Sequence, residues 1–446
     1  MPDKPPNPTS PTKPTKPSTS SNPSTPSNPS TPSDPSTPSK PSRAKTLNQH
    51  LDPYPHFGRL REAGRVVRIR TAFAGEGWLV TRHEDAQRLA KDPRLSVDDR
   101  HAGPELRCRL AQFKFRFVDF VPGTMLNTDP PEHTRLRRLV AREFTPRRVA
   151  ALAPYVERTV RELLAPLPSD RTTDLMPVLA EPLPTLVICR LLGLSERDAA
   201  HLRPYVSSLT ELPVDPEVAA RVEKTRDAMW AYLSDMIEEK RRRPDEGLLS
   251  ALISAHDDEG RLTDTELTSM AGVLFAGGAE TTTQMIGSGL LLLLRHPEQL
   301  ARLVDSPELV PSAVDELLRF ESPVTLGLIR YAAEDIPVGD VTIPRGDLVF
   351  VGVATANHDP RRFPEPEHLD VTRADNPHLA FGQGAHYCLG APLARLELQV
   401  VLTTLLRHFP HLELACRPDD IPWQPSALRG PASLPVRLGP QSTPSH

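Results

Sequence analysis

The stretch FGQGAHYCLG, residues 381–390, places one cysteine in a glycine-rich segment directly before a helix-like run. Its glycines at positions 382, 384 and 390 predict a tight loop whose backbone N–H groups turn inward. The other cysteines, at 108, 189 and 416, form no CxxC pair and lack the short Cys/His spacing of a zinc site. Cys388 therefore needs an explanation of its own.

Several kinds of site could use this loop. A GxGxxG dinucleotide loop is excluded, because Tyr387 stands where the last glycine is required and no strongly apolar strand precedes it. A thiol nucleophile stays open, since His386 lies in the same loop and could act as its base. A buried structural cysteine would not need the surrounding glycines. An axial thiolate on haem iron fits the loop best, because inward N–H groups keep a thiolate ionised.

The chain as a whole is long and nearly neutral. Its 446 residues carry a formal net charge of -4, which gives no field for nucleic acid and no polybasic membrane anchor. Residues 1–43 are rich in Pro, Ser and Thr and repeat SNPSTP-like units from 21 to 38, so we expect a disordered tail. Residues 44–446 are expected to form one domain, mainly helical with small β-sheets at one side. Strand-like runs lie at 65–70, 77–81, 341–344 and 347–357.

A long apolar helix is predicted from the capping box TDTE, residues 263–266, to about residue 295. At 1.5 Å per residue it would be about 45–50 Å long, enough to cross a domain. Its polar residues 280–284 would be expensive in lipid, so a central position in the domain is favoured over a membrane span.

The middle of this helix, FAGGAETTT at 275–283, combines small and polar residues. Gly277 and Gly278 cost helix stability, so a ligand pressed against the helix or a close helix crossing is expected there. Glu280 and Thr281 put an acid and a hydroxyl beside that point, a pair suited to holding water and relaying protons.

Two further motifs carry charged residues at helical spacing. DPPEHTRLRRLV, residues 129–140, predicts a helix capped by Asp129, with His133 and Arg137 on one face. VDELLRF, residues 314–320, places Glu316 three residues before Arg319, which alone would indicate an ordinary surface ion pair. The Pro-rich segment 359–373 ends in an arginine, Arg373, that could complete a buried charge network with this pair.

Together these motifs resemble the cytochrome P450 family over about residues 45–440. FGQGAHYCLG has the family's haem-loop pattern FGxGxHxCxG, VDELLRF carries its ExxR, and Arg373 matches the third member of that network. GGAETT is similar to the oxygen-activation stretch of the family's long helix, and DPPEHTRLRRLV to its propionate-contacting helix. The resemblance implies a single-domain cytochrome P450 fold, mainly α, with haem between the long helix and the cysteine loop.

The resemblance also implies residue roles. Cys388 matches the proximal thiolate ligand, which favours O–O cleavage, and Thr281 the hydroxyl that steadies dioxygen, with Glu280 its acidic neighbour. Positions that pair with the two propionates of haem b are matched by four residues: His133, Arg137, Arg330 and His386. The structural network that holds segment 359–373 is matched by three residues: Glu316, Arg319 and Arg373.

The substrate pocket is identified by the same resemblance. FKFRFVDF, residues 113–120, matches the loop that lids the pocket, although its phenylalanines could equally just pack that loop down. The expected pocket residues are Phe117, Val273, Gly277, Leu326 and Leu328. Gly277 stands where many relatives have Ala. An aromatic lid suits a bulky apolar substrate, and by analogy we expect hydroxylation or epoxidation of a polyketide, macrolide or terpenoid with one oxygen atom from O2.

Electrons must come from outside the chain, which contains no motif for a flavin domain. The resemblance to the bacterial branch implies NAD(P)H, a ferredoxin and a ferredoxin reductase as the source, with docking near Arg138 and Arg361. We further expect a monomer in the cytoplasm, without nucleic acid or membrane partners. A haem protein that recruits a partner without turnover, or a peroxide-dependent enzyme, is the alternative; the Glu280–Thr281 pair favours a monooxygenase.

Overall fold

Helices form most of the described chain, as its apolar periodicity predicts. The computed structural model describes residues 45–46, 53–71, 74–112, 123–211, 216–257 and 261–440. Within these ranges the α-helices are α1 (Tyr54–Ala63), α2 (His83–Leu89), α3 (Pro104–Gln112), α4 (Glu132–Ala141), α5 (Pro146–Leu164), α6 (Pro182–Leu192), α7 (Glu196–Thr210), α8 (Pro216–Arg242), α9 (Leu248–Asp257), α10 (Asp264–Arg295), α11 (Pro297–Asp305), α12 (Val310–Phe320), α13 (Val353–Asn357) and α14 (Ala391–His408).

The strands are short and lie mainly in the first and last thirds of the described chain. They are β1 (Lys45–Thr46), β2 (Val66–Thr71), β3 (Gly75–Val80), β4 (Leu95–Ser96), β5 (Thr172–Asp174), β6 (Ile329–Ala332), β7 (Ile336–Val338), β8 (Val341–Ile343), β9 (Leu348–Val351), β10 (Glu413–Leu414) and β11 (Pro435–Arg437). One sheet has the order β1-β2-β3-β9-β6-β4, a second β10-β11-β5, and β7 pairs with β8. This confirms the prediction of a helical protein with small sheets.

The strand predictions hold except at 347–357. There β9 ends at Val351, and residues 353–357 are the short helix α13 instead of a continued strand. The chain turns at Gly352, where a Cβ atom would lie 2.6 Å from the carbonyl oxygen of Val80 in β3. This close approach to the neighbouring strand, which the sequence pattern does not reveal, accommodates the turn into the helix.

Helix α10 has the predicted capping box and is buried along most of its 32 residues, a length of about 48 Å. Its glycines let neighbours approach closely: a Cβ at Gly272 would lie 2.1 Å from the ring of Trp230 in α8, and one at Gly287 would lie 2.6 Å from the Met176 sulfur. The helix is therefore the central element against which other helices pack. Among the described residues, no helix combines the length and the hydropathy that spanning a bilayer requires.

The predicted N-cap of helix α4 is wrong. The helix begins at Glu132, and no side chain caps it. The Asp129 carboxylate instead accepts hydrogen bonds from Ser96 Oγ and, at 3.2 Å, from the backbone N–H of Val97. A tertiary contact with β4 and the residue after it thus replaces the local cap.

Contacts between Cα atoms separate residues 1–42 from Arg43–His446. The predicted disordered tail and the predicted lid at 113–120 lie outside the described residues. Within the larger unit, one hydrophobic cluster surrounds α10 and two smaller ones lie against the six-stranded sheet. The division at residues 43 and 44 stays a prediction.

Candidate active site

The cysteine loop is held in shape by its own backbone. The N–H of Cys388 donates to the carbonyl of Phe381 at 2.8 Å, which closes the loop just before α14. Gly382 and Gly384 have φ angles of 70° and 74°, in the left-handed region that favours glycine. A Cβ at Gly384 would also lie 2.8 Å from the Ala90 carbonyl oxygen. The loop therefore needs glycine at both positions.

The Cys388 sulfur lies at the N-terminus of α14. Burial raises the pKa of the thiol, while the backbone N–H groups of Gly390 and Ala391 and the charge of Arg137 act to lower it. Although protein surrounds it on most sides, the side chain keeps accessible surface, so a ligand can reach it. The inward N–H groups predicted from the glycines are thus present, in the arrangement that stabilises a thiolate.

The two predicted histidines lie together. The rings of His133 in α4 and His386 in the cysteine loop are 4.3 Å apart between centroids. Both Nε2 atoms are buried without a hydrogen-bond partner among the described residues. Burial, together with the nearby charge of Arg330 and then of His133 and Arg137, lowers the pKa of His386 to about 3. Within the described chain no hydrogen bond joins His386 to Cys388, so the structure does not assemble the nucleophile–base pair that the sequence left open.

The two predicted arginines complete this cluster. Arg137 donates from Nη2 to the Tyr387 carbonyl at 2.7 Å, and buried Arg330 donates from Nη1 to the Leu95 carbonyl at 3.4 Å. Of the described acidic residues, only Asp129 acts electrostatically on Arg330 and none acts on Arg137. Two cations therefore share one place with two unpartnered imidazole nitrogens. This donor set fits a ligand with two carboxylates, as haem b has.

The paired glycines of α10 have different surroundings. A Cβ at Gly278 would lie 2.8 Å from two atoms of the Ile188 side chain in α6, so a helix crossing explains this glycine. Gly277 is exposed, and no atom lies within 4 Å of where its Cβ would be. Beside it, Thr281 donates from Oγ1 to the Gly277 carbonyl at 2.7 Å. Open space thus adjoins the Gly277–Thr281 face of α10, where a ligand against the helix was predicted.

Glu280 lies on the protein side of the same turn. It is 3% exposed, and Gln284 donates to its carboxylate from Nε2 at 2.8 Å. Burial raises the pKa of Glu280 to about 6, and the nearby carboxylate of Glu181 raises it further, while hydrogen bonds from Gln284 and Thr210 act to lower it. The acid is thus suited to binding and releasing a proton near neutral pH.

Sequence reasoning missed Gln284 and Thr210 as partners of Glu280. The spacing of four residues on one helix could have identified Gln284. No local pattern connects Thr210 to Glu280, because the two residues lie on different helices.

The expected pocket residues differ in exposure. Val273 and Leu326 are buried, the first in the cluster around α10 and the second in a cluster at the sheet. Leu328 is half-buried and Gly277 is exposed, whereas Phe117 lies outside the described residues. Their role in binding substrate stays a prediction, and Gly277 is the position with measured open space beside it.

The predicted charge network is assembled as one buried unit. Glu316 and Arg319 have no exposed surface, and Arg319 donates to both carboxylate oxygens of Glu316, each at 2.8 Å. Arg373 donates from Nε at 3.1 and 3.2 Å, and Asn376 from Nδ2 at 3.1 Å, to the same carboxylate. The backbone N–H of Asp370 adds a further bond at 3.1 Å. Sequence reasoning missed Asn376 and Asp370. These contacts tie α12 to the segment before the cysteine loop.

The two arginines expected at a docking surface are in different states. Arg138 is exposed on α4. Arg361 is engaged in ion pairs with Glu62 at 3.0 Å and with Asp359 at 3.1 Å. Of this pair, Arg138 is therefore the one whose charge is more available to a partner.

Comparisons with known proteins agree with this geometry. The sequence model of the family named Cytochrome P450 matches residues 211–434. 6-Deoxyerythronolide B hydroxylase of Saccharopolyspora erythraea is 41% identical over 395 residues, covering 87% of this chain and 96% of the relative. Nocardicin C N-oxygenase of Nocardia uniformis subsp. tsuyamanensis is 44% identical over 391 residues, covering 86% and 96%. The solved structure of the tirandamycin C-bound P450 monooxygenase TamI has a TM-score of 0.82 and 42% identity, covering 89% of this chain and 100% of that chain.

These similarities extend over almost the whole of each relative and include the cysteine loop and its donor cluster. The long helix with its acid and hydroxyl lies within the same matched region. The chain therefore belongs to the cytochrome P450 family and is a haem-dependent monooxygenase.

Proposed function

We propose that this monooxygenase hydroxylates or epoxidises a bulky apolar polyketide or macrolide with one oxygen atom from O2. The substrate class is supported by the relatives, one named a 6-deoxyerythronolide B hydroxylase and one bound to tirandamycin C. A terpenoid substrate rests on analogy alone. The observation that carries the oxygenase assignment is the pairing of buried Glu280 with Thr281 beside open space on α10.

The residues proposed to hold haem b are those of the cysteine loop and the donor cluster. Cys388 would ligate the iron, with the N–H groups of Gly390 and Ala391 keeping the sulfur ionised. The carboxylates of the group would be bound by four residues: His133, Arg137, Arg330 and His386. The chemistry supplied by bound haem is activation of O2, which a thiolate ligand biases toward O–O cleavage.

Proton handling is assigned to Glu280 and Thr281. A carboxyl group with a pKa of about 6 is present in both protonation states near neutral pH, so Glu280 can take up a proton and release it. The Thr281 hydroxyl donates to the Gly277 carbonyl, which leaves its oxygen free to accept a hydrogen bond from the open side. The network of Glu316, Arg319 and Arg373 is proposed to be structural.

Redox partners supply the electrons, and we assign this role to NAD(P)H, a ferredoxin reductase and a ferredoxin. An acidic ferredoxin would be attracted by an exposed cation such as Arg138 on α4, the helix that also carries His133 and Arg137. A monomer is proposed, located in the cytoplasm, where NAD(P)H is available.

Replacement of Thr281 by Ala tests the oxygenase assignment. We expect the variant to consume reductant with little product, because the hydroxyl that directs protons is lost. The matched control is Thr268→Ala, which removes a hydroxyl from an exposed position of the same helix, where it donates to the Asp264 carbonyl at 3.1 Å. Product and NAD(P)H consumption are measured together for both variants.

Two outcomes would favour the alternatives. Full coupling in Thr281→Ala would contradict the dioxygen route and favour a peroxide-dependent enzyme. No turnover of any ligand that shifts the haem spin state would favour a haem protein that recruits a partner. The absorption spectrum of the reduced carbon monoxide complex reports thiolate ligation in all variants, so loss of the haem site is separated from loss of coupling.

A further inference from the structure

The carboxylate of Glu280 is held by donors from two helices. Gln284 donates from one turn further along α10, at 2.8 Å. Thr210, the last residue of α7, donates its hydroxyl to the same carboxylate. The acid therefore contacts the end of a separate helix as well as its own.

The end of α7 is in turn fixed by the C-terminal loop, residues 423–431. The Thr210 carbonyl accepts from Ser426 Oγ at 3.0 Å and from the backbone N–H of Ala427 at 2.9 Å. The same loop also packs against Gln284, because a Cβ at Gly430 would lie 1.9 Å from Gln284 Oε1. One loop thus restrains both donors of Glu280.

The charged groups that face Glu280 act in the opposite direction. Glu181 lies between a short π-helical segment, Met176–Ala180, and α6, both of which pack against α10. Burial raises the pKa of Glu181; Arg203 of α7 lowers it and Asp174 raises it. A second carboxyl group beside the acid disfavours its charged form, so the two donors are what keep the Glu280 carboxylate accessible.

We propose that Thr210 is a positioning residue that orients the Glu280 carboxyl group for proton delivery and ties it to the position of α7. The proposal deepens the proposed function and rests on Glu280 as the acid of that function. If α7 moves away from α10, Glu280 loses one of its donors and its protonated form is favoured. The orientation and charge of the acid then depend on where α7 lies.

The test compares Thr210→Val, which removes the hydroxyl with little change of shape, with Thr210→Ser, which keeps a hydroxyl. Thr268→Val on the exposed face of α10 is the matched control. The Glu280 carboxyl group is titrated in the holoenzyme by infrared difference spectroscopy, with Glu280→Gln identifying its band. Coupling and the pH profile of product formation are measured on the same samples.

We expect Thr210→Val to raise the apparent pKa of Glu280 by about one unit, a tenfold change in the protonation equilibrium, because a hydrogen bond to the charged form is lost. The pH profile should shift by the same amount, and Thr210→Ser should restore both. Thr210→Ala is the second variant in case Val does not fold, and the same shift is expected for it.

The proposal is overturned if the pKa of Glu280 is the same in Thr210→Val or Thr210→Ala as in the wild type, or if Thr268→Val shifts it equally. Failure of the proposed function gives a different result. In that case Glu280→Gln forms product with full coupling, whereas the infrared titration still responds to Thr210.

Discussion

Replacement of Glu316 by Gln is expected to destabilise the protein severely. Glu316 and Arg319 have no exposed surface, and Arg373, only 11% exposed at its side chain, donates to the same carboxylate. The substitution preserves the side-chain shape but leaves two guanidinium groups without their counter-charge. It also turns an amide N–H₂ toward groups that are themselves donors. Removing one partner of a buried pair costs about 3–5 kcal/mol, a large part of the free energy of unfolding of a typical domain.

The matched control is an exposed pair at similar spacing. Arg158 and Glu162 on α5 are 3.7 Å apart and have side chains 57% and 66% exposed. Glu162→Gln should cost about 0.3–0.5 kcal/mol, because water already solvates both charges. The same chemical change is thus expected to differ about tenfold in cost between the two sites.

Urea unfolding followed by circular dichroism measures both variants against the wild type, with the slope checked so that only midpoint changes are compared. If Glu316→Gln does not accumulate as folded protein, Arg373→Gln provides an intermediate loss at the edge of the network. A cost for Glu316→Gln within about 1 kcal/mol of the control would refute the argument from burial.

Two further predictions concern α10. Gly278→Ala should destabilise the protein by about 1–3 kcal/mol, because its methyl group would lie 2.8 Å from Ile188, whereas Gly277→Ala should stabilise it by about 1 kcal/mol, since nothing lies within 4 Å. Equal thermal shifts in the two variants would contradict the assigned surroundings. For Glu280, a pKa raised from 4.5 to about 6 means that the protonated carboxyl group stabilises the fold below pH 4.5 and that this contribution is lost as the pH rises through about 6. Glu280→Gln should therefore gain about 2 kcal/mol over the wild type in unfolding free energy between low pH and pH 7.5, and a difference independent of pH would oppose it.

The Glu316 network illustrates how far local spacing reaches. ExxR at helical spacing, followed by an arginine after a Pro-rich segment, was enough to name the three charged members. Asn376 and the backbone N–H of Asp370 complete the site, but their participation depends on how segment 359–373 folds over α12. An amide side chain in an irregular segment carries no periodic signal that would identify it.

Asp129 shows where local rules are overridden. Its position before two prolines and a helical pattern indicated an N-cap, yet its carboxylate bonds to Ser96 and Val97 of a distant strand region. A side chain near a helix end has several partners to choose from, and packing of α4 against β4 decides which is nearest. His133 and Arg137 still share a face, because their relation depends only on the helical repeat.

The sequence by itself determined the helical class, the limits of α10, the cysteine loop and the identity of the donors around it. Each of these depends on residues close together in the chain, where backbone geometry and hydrogen-bonding rules act directly. The tertiary structure alone decided that Gly278 meets Ile188 while Gly277 faces open space, and that Thr210 holds Glu280. Such contacts join separate helices, and their positions depend on how all the buried surfaces pack at once.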